Sequence, residues 1–383
     1  MRSSLWLSLL LPFLYSSSAV AQRGAGGPPP NVNTGPRPVE SPTRPDSVQD
    51  SGLYGYWNNM TAQGRAGGAL LGKVAIEGEV LPWDPILVTL SCNGTTSATT
   101  QTDPKGEFLI MPTRVAGELS QLGDRERQME VHYEGCVAEA FLTGFRSTKT
   151  TISVRNLRDD PNIGTITLSR DSKARATAMS TTSQAAPDEA SKLWSKAGGE
   201  LRGDKPDRAR KDLEKAVQIY PQFADAWYQL GRMQMLSSPH DAKMCFQKAL
   251  GADPKFSLPL EQLAALSVQQ EDWQGSTENT LRYLQLDPAG TPKIWYYSAL
   301  SNFQLGRLNA AEYSAQKLMA ADPLHNIRSG EQLFAAILAR KADYAGALEH
   351  LRNCLTYTPD GPDAKMLKEQ IAQLERRASA AKN

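Results

Sequence analysis

The sequence predicts a chain with two folded parts, an antiparallel β-sandwich followed by an α-helical solenoid. Five prolines recur in the carboxy-terminal half at intervals of 33 to 36 residues: Pro221, Pro254, Pro288, Pro323 and Pro359. Small or apolar residues stand at fixed distances before each proline, and this periodicity is typical of stacked helical hairpins. Upstream, apolar and polar residues alternate with a period of two, which indicates short strands.

The first 21 residues have the features of a secretory signal peptide. Arg2 provides the positive start, an apolar run covers residues 5–15, and a small-x-small cleavage site ends at Ala21. The apolar run is too short to span a bilayer, so we expect no transmembrane segment in the mature chain. The sequence therefore predicts export to the periplasm or the extracellular space. Residues 22–67, rich in proline and glycine, are predicted to be disordered.

Residues 68–170 are predicted to form the sandwich. The candidate strands are 70–76, 86–92, 95–101, 108–111, 129–133, 136–142, 151–154 and 163–168. Seven or eight short strands in about a hundred residues favour two packed antiparallel sheets. Cys92 and Cys136 both fall in this unit, and we expect a disulfide between them because an exported protein meets an oxidising environment.

The start of this unit resembles a known domain family. Gly72-Lys73-Val74 opens it, Val88-Thr89-Leu90 follows, and the turn Thr102-Asp103-Pro104-Lys105-Gly106-Glu107-Phe108 comes next. Together these segments resemble the carboxypeptidase regulatory-like domain. The resemblance implies a transthyretin-like sandwich within a carbohydrate-binding-like fold group. The sequence departs from the family at 112–127, where a longer polar stretch replaces a compact glycine turn.

A segment rich in serine, threonine and alanine, at 171–187, is predicted to be a flexible linker. The pattern that follows, Trp227-x-x-Leu230-Gly231 with Ala242, Phe246, Ala249 and Pro254, resembles the tetratricopeptide repeat. Five units are predicted within 188–360, at 188–223, 224–256, 257–290, 291–325 and 326–360. Residues 361–383 are expected to form a capping helix and a tail, because a terminal repeat needs a polar outer face.

The repeat resemblance implies a groove lined by the first helix of each pair. Transferring the groove positions of the family gives Trp194, Tyr228, Arg232, Met235, Val268, Gln269, Tyr296, Phe303, Gln332 and Arg340. Rings supply contact area and guanidinium groups orient a ligand, so this set suits a protein or an extended peptide. Each residue also fits ordinary helix packing. Trp194 and Gly198 replace the residues of the family's carboxylate clamp for chaperone tails, so we do not expect chaperone-tail binding.

Catalytic and cofactor motifs are missing from the sequence. The four histidines do not form a zinc motif, and the glycine-rich run at 67–73 lacks the Ser or Thr of a phosphate loop because Val74 follows it. A net charge of +1 does not favour binding to nucleic acid. We therefore expect a protein without a cofactor that is not an enzyme.

Two functions remain open at this point. The first is an exported non-catalytic adaptor that binds a protein or peptide partner through the groove. The alternative is a carbohydrate-binding protein in which the sandwich holds a glycan and the repeats recruit a partner. Sugar sites use exposed aromatic platforms, and Trp83 and Phe145 are the candidate platforms in the sandwich.

Overall fold

The computed structural model describes residues 69–111, 130–131, 133, 135–152, 155–156, 162–357 and 363–380. The predicted signal peptide, the predicted disordered segment, the polar stretch at 112–127 and Pro359 lie outside the described residues. Strands come first along the described chain and helices follow, which confirms the predicted fold class. None of the described helices is long and apolar enough to cross a membrane.

The strands form two four-stranded sheets and one two-stranded ribbon within the described residues. Their bounds are β1 Leu70–Ile76, β2 Leu87–Cys92, β3 Thr95–Gln101, β4 Glu107–Ile110, β5 Glu130–Val131, β6 Cys136–Phe141, β7 Phe145–Ser147, β8 Thr150–Ile152, β9 Arg155–Asn156 and β10 Asn162–Arg170. The sheet orders are β4-β1-β10-β7 and β3-β2-β6-β8, with β5-β9 as the ribbon. Strands β1 and β10 pair in parallel, whereas the other neighbours are antiparallel.

The core of the sandwich is formed by the side chains that point inward at every second position of the strands. Val74, Val88 and Ile166 are fully buried on inward-facing positions. Phe108 lies opposite Gly72 in the β1–β4 register, and a Cβ at Gly72 would lie 2.4 Å from the ring. Only glycine leaves room for the ring at this position, so a side chain there would displace Phe108 from the core.

The predicted disulfide is confirmed. Cys92 and Cys136 face each other in the β2–β6 register and form the bond between Sγ atoms, closing a sequence separation of 44 residues. The other two cysteines, Cys245 and Cys354, are buried in the helical region.

Eleven helices follow in the described chain. Their bounds are α1 Asp188–Arg202, α2 Pro206–Ile219, α3 Ala224–Gln234, α4 Pro239–Ala252, α5 Leu258–Gln269, α6 Trp273–Leu286, α7 Pro292–Gln304, α8 Leu308–Ala321, α9 Ser329–Arg340, α10 Tyr344–Tyr357 and α11 Ala364–Ala380. Each of the five predicted units contains one helix pair, from α1–α2 to α9–α10. The first helices of neighbouring pairs, α3, α5, α7 and α9, pack on one another in sequence.

Small side chains allow the helices of each pair to approach closely. The side chains at this repeated position have no exposed surface: Ala209, Ala242, Ser276, Ala311 and Ala347. Large neighbours fill the remaining space, as Phe246 does against Gly231, whose missing Cβ would lie 2.6 Å from the ring. Helix α11 then covers the last pair and buries Leu367 and Leu374.

The aspartate before a repeat proline closes the turn to the next pair. The Asp253 carboxylate accepts a hydrogen bond from the Lys255 amide at 3.0 Å, and the Asp287 carboxylate accepts one from the Ala289 amide at 3.2 Å. Asp322 does the same for Asn326 and Ile327, at 3.0 and 2.7 Å. Proline stops the helix, and the aspartate supplies acceptors to the amides that follow it.

The structure differs from the prediction of a flexible linker at 171–187. Within it, residues 176–183, which we call the strap, lie against the first three helix pairs. Ala176, Ala178 and Ser180 are buried. The Thr177 amide donates to the Lys255 carbonyl at 2.9 Å, and the Ser257 amide donates to the Thr177 carbonyl at 2.9 Å. The strap therefore adds a short strand-like contact to the turn between α4 and α5.

Hydroxyl groups continue this contact along the strap. The Ser180 hydroxyl donates to the Asp253 carboxylate at 2.7 Å, and the Thr181 amide donates to the same carboxylate oxygen at 3.0 Å. Further along, the Tyr220 hydroxyl donates to the Thr182 carbonyl at 3.1 Å. Composition alone indicated a free linker because Ser, Thr and Ala have no apolar periodicity. The missing information was the set of carboxylates and carbonyls that these hydroxyls reach.

Candidate protein-binding groove

The first helices α1, α3, α5, α7 and α9 carry nine of the ten predicted groove residues, and the tenth, Met235, directly follows α3. We call the surface that these residues define the inner face. Tyr228, Val268 and Phe303 are buried there, so they act mainly in packing. The half-buried members are Trp194, Met235, Tyr296 and Gln332, and the exposed members are Arg232, Gln269 and Arg340. Half-buried and exposed members of the set are therefore present along the whole inner face.

Two arginines of the inner face stack on aromatic rings. The Arg232 guanidinium lies 5.8 Å from the centre of the Tyr228 ring, one helical turn away on α3. The Arg340 guanidinium on α9 lies 5.4 Å from the Phe303 ring on α7. Stacking keeps a guanidinium in a fixed orientation while its N–H groups remain at the edge for a carboxylate. The inner face thus contains two oriented cationic positions.

The first of these positions is filled by the chain itself. Residues 81–86 between β1 and β2, which we call the Trp83 turn, reach the inner face at α1 and α3. The Trp83 ring stacks on Trp194 with centroids 3.9 Å apart and planes inclined by 14°. A Cβ at Gly198 would lie 3.0 Å from the Trp83 ring, so the glycine leaves the space that the indole occupies.

Asp84 supplies a carboxylate beside this stack. One oxygen, Oδ1, lies 2.6 Å from Arg232 Nη1, and the other accepts a hydrogen bond from the Gln229 amide at 3.4 Å. Burial raises the pKa of Asp84, although Arg232, Gln229, Lys293 and the Tyr228 hydroxyl act in the opposite direction. The carboxylate is therefore partly desolvated between α3 and the start of α7.

The Trp83 turn is the feature that the sequence did not indicate. Asp84 and Gln229 were not predicted site residues, and Trp83 was predicted only as a sugar platform. The turn is separated from Arg232 by about 150 positions of sequence, and no periodicity relates the two. The proline on each side of Trp83-Asp84 was the one local signal, since prolines restrict an exposed turn.

The inner face also includes a carboxylate that the sequence analysis missed. Glu261 on α5 takes the repeat position held by Tyr228 on α3 and Tyr296 on α7. It accepts a hydrogen bond from the Thr291 hydroxyl at 2.7 Å and lies 3.7 Å from Lys293 Nζ. These two partners make Glu261 part of the contact between α5 and the start of α7, and because Glu261 is only 8% exposed, it is largely shielded from a ligand.

The two candidate sugar platforms each have a covered face. Trp194 covers one face of Trp83, and the Arg170 guanidinium lies 4.8 Å from the centre of the Phe145 ring. Arg170 is held there by Glu79, with both N–H···O contacts at 2.8 Å. Sugar stacking on Trp83 or Phe145 is therefore restricted to the opposite face of each ring.

Comparisons with known proteins return helical repeat proteins. No protein-family model matches the chain. A "tetratricopeptide repeat and J domain-containing co-chaperone" of Cryptococcus neoformans is 24% identical over 189 residues, which are 46% of this chain and 35% of the relative. The chain thus spans about a third of the length of this curated relative.

Solved structures give the same type of match at low similarity. YrrB, described as a TPR protein with an unusual peptide-binding site, is 20% identical, with a TM-score of 0.42 over 50% of this chain and 98% of that chain. PilF of Pseudomonas aeruginosa is 19% identical, with a TM-score of 0.42 over 51% and 88%. MamA of Desulfovibrio magneticus RS-1 is 20% identical, with a TM-score of 0.41 over 46% and 99%. Because these TM-scores are low, the fold is assigned from the helices and strands of the chain itself.

Proposed function

We propose that the chain is an exported, non-catalytic adaptor of the tetratricopeptide type that binds a protein or an extended peptide on its inner face. The observation that carries this proposal is the Arg340–Phe303 pair between α9 and α7. It presents an exposed, oriented cation between the two helices that also carry the half-buried residues Tyr296, on α7, and Gln332, on α9. Arginine and tyrosine are the residue types that contribute most to protein interfaces.

A peptide suits this surface better than a small molecule. The exposed and half-buried groups extend along successive first helices instead of converging on one deep cavity, and small-molecule sites are normally concave pockets. An extended chain can contact several helices in turn, with its carboxylates at the arginines and its apolar side chains at the rings. The co-chaperone relative is in keeping with a role in protein binding, although its own activity is a property of that protein.

Substitution on the inner face tests the proposal. The tagged full chain is purified from cells that naturally produce it, and the captured proteins are quantified by mass spectrometry. A Tyr296→Ala/Arg340→Ala variant is expected to lose its specific partner at least about tenfold, since one interface residue contributing more than 1.4 kcal/mol gives that factor.

A matched control uses the second-helix surface. Tyr313 on α8 is 55% exposed, and Lys317 Nζ lies 5.5 Å from the centre of its ring, so this pair also places a cation over an aromatic ring, on another face. Tyr313→Ala/Lys317→Ala should retain the partner. Equal recovery by the two double variants, with both folded by circular dichroism, would reject the inner face as the binding surface.

A further inference from the structure

The Trp83 turn contacts the inner face in the way a bound peptide would. It presents two adjacent side chains, an indole and a carboxylate, to two different helices. The indole stacks on Trp194 of α1, and the carboxylate pairs with Arg232 of α3. Both side chains are half-buried, and Trp83 packs at the edge of the apolar cluster of the first helix pairs, so the turn covers this part of the inner face.

The receiving surface is built for this pair of side chains. Gly198 gives space for the indole, because any other residue would place a Cβ at 3.0 Å or less from it. Gln229 is 5% exposed and donates to the Asp84 carboxylate, so a buried amide is directed at the acid. Arg232 is oriented by its stack on Tyr228. The inner face thus recognises an aromatic side chain and a carboxylate that belong to two adjacent residues.

The sandwich does not need the Trp83 turn in order to stay beside the repeats. The strap binds the α4–α5 turn through the Thr177 and Ser180 contacts, and the Thr143 hydroxyl lies 3.5 Å from the Asp287 carboxylate after α6. These contacts are made at other loops than those that hold Trp83. Detachment of Trp83 and Asp84 would therefore leave these contacts between the sandwich and the repeats in place, with Ile86 still in the sandwich core.

We propose that the inner face at α1 and α3 is a receptor for a partner segment that carries an aromatic residue followed by an acidic one, and that the Trp83 turn is an intramolecular competitor for it. This inference rests on the proposed function and names the ligand chemistry of its first subsite. A tethered ligand acts at an effective concentration in the millimolar range. The fraction of chains with an open subsite then sets the apparent affinity for the partner.

A peptide copy of the turn tests this inference. The probe is a fluorescein-labelled peptide with the sequence of residues 79–88, and its binding to the full chain is followed by fluorescence anisotropy. A Trp83→Ala/Asp84→Ala chain, whose subsite is open, should bind the peptide at least about tenfold more tightly than the unmodified chain does. Adding Arg232→Ala to the open chain should remove that binding. A peptide with alanine at the Trp and Asp positions should not bind either chain.

Three results would overturn the inference. The first is equal binding of the peptide by the open and unmodified chains, including binding by neither, and the second is binding that survives Arg232→Ala. The third is an unmodified chain that is dimeric by light scattering and becomes monomeric with Asp84→Asn, because the occupant would then be the turn of a second copy. If the double variant does not fold, Asp84→Asn replaces it, because it removes the charge that pairs with Arg232 and should also tighten peptide binding, by a smaller factor.

The outcome is independent of the test of the proposed function. The peptide assay reports on Trp194 and Arg232, whereas the capture experiment depends on Tyr296 and Arg340. If the Tyr296→Ala/Arg340→Ala chain loses the partner but no chain binds the peptide, the adaptor function is retained and the competing turn is rejected.

Discussion

At the scale of single residues, two carboxylates determine how the strap is held. The Asp225 carboxylate accepts a hydrogen bond from the Ser180 amide at 3.5 Å, and the Ser183 hydroxyl accepts one from the Asp225 amide at 3.1 Å. Burial raises the pKa of Asp225 to about 7, and the nearby Asp253 carboxylate adds to the shift. The group therefore changes charge near neutral pH within the contact between strap and repeats.

This shift predicts a pH dependence of stability. A pKa that is higher in the folded than in the unfolded state means that the folded chain holds the proton more tightly. The resulting stability is present at acidic pH and is lost as the pH rises through about 7. The free energy of unfolding should fall as the pH rises from about 4, near the ordinary pKa of the carboxyl in the unfolded chain, to about 7, and should level off above that pH.

Asp225→Asn is the variant that isolates this effect. The amide is neutral at every pH. The decrease in the free energy of unfolding between acidic and mildly alkaline pH should therefore be smaller in this variant than in the unmodified chain. Urea unfolding at several pH values provides the comparison. Identical pH profiles for the two chains would show that Asp225 titrates in the folded state as it does in the unfolded state.

At the scale of elements, helix α1 is both the first helix of the repeats and the surface on which the Trp83 turn packs. Gly198 and Gly199 are adjacent in this helix, but their surroundings differ. A Cβ at Gly198 would lie 3.0 Å from Trp83, whereas a Cβ at Gly199 would have Arg202 as its nearest neighbour at 3.9 Å. Helix propensity favours alanine equally at both positions. The difference in stability between the two alanine variants therefore measures the effect of the Trp83 contact.

Alanine substitution at the two glycines should therefore have different effects. Gly199→Ala is expected to raise the free energy of unfolding by about 0.5–1 kcal/mol, the usual gain in a helix interior. Gly198→Ala should gain less or lose stability, because the Trp83 ring has to move. Urea denaturation of both variants gives the comparison, and equal gains would mean that the Trp83 turn does not press on α1 in solution.

Periodicity explains which elements could be predicted. The bounds of β1 and β3 agree with the sequence prediction, and each predicted repeat unit holds one helix pair, because alternation and the proline period are local signals. Strand β7, with three residues, is too short to show a period. The strap and the Trp83 turn depend on partners distant in sequence, such as Asp253 and Arg232, and a single sequence contains no signal that pairs them.

At the scale of the whole molecule, the strap connects the stability of the sandwich to that of the repeats. The Cys92–Cys136 disulfide closes a separation of 44 residues, and in the chain-entropy account a loop of this size stabilises by about 4 kcal/mol. Reduction acts directly on the sandwich alone. If the strap couples the two parts, the helices should also unfold at a lower temperature after reduction.

Circular dichroism at the helical band measures this coupling. Reduction should lower the helical melting temperature of the unmodified chain, and the change should shrink in Asp253→Ala, which removes the acceptor for Ser180 and Thr181. Asp322→Ala is the matched control, since it removes the same turn acceptor after α8 and does not contact the strap. A helical melting temperature that is unchanged by reduction in every variant would show that the two parts melt independently.

The central claim is that a partner lies along the inner face of the first helices. The most direct measurement is site-specific photocrosslinking in cells that naturally produce the chain, with a photoreactive residue at Gln332 on α9 or at Tyr313 on α8. The account predicts a discrete crosslinked partner from Gln332 that Arg340→Ala removes, and none from Tyr313. The same adduct from both positions, or from Tyr313 alone, would contradict it.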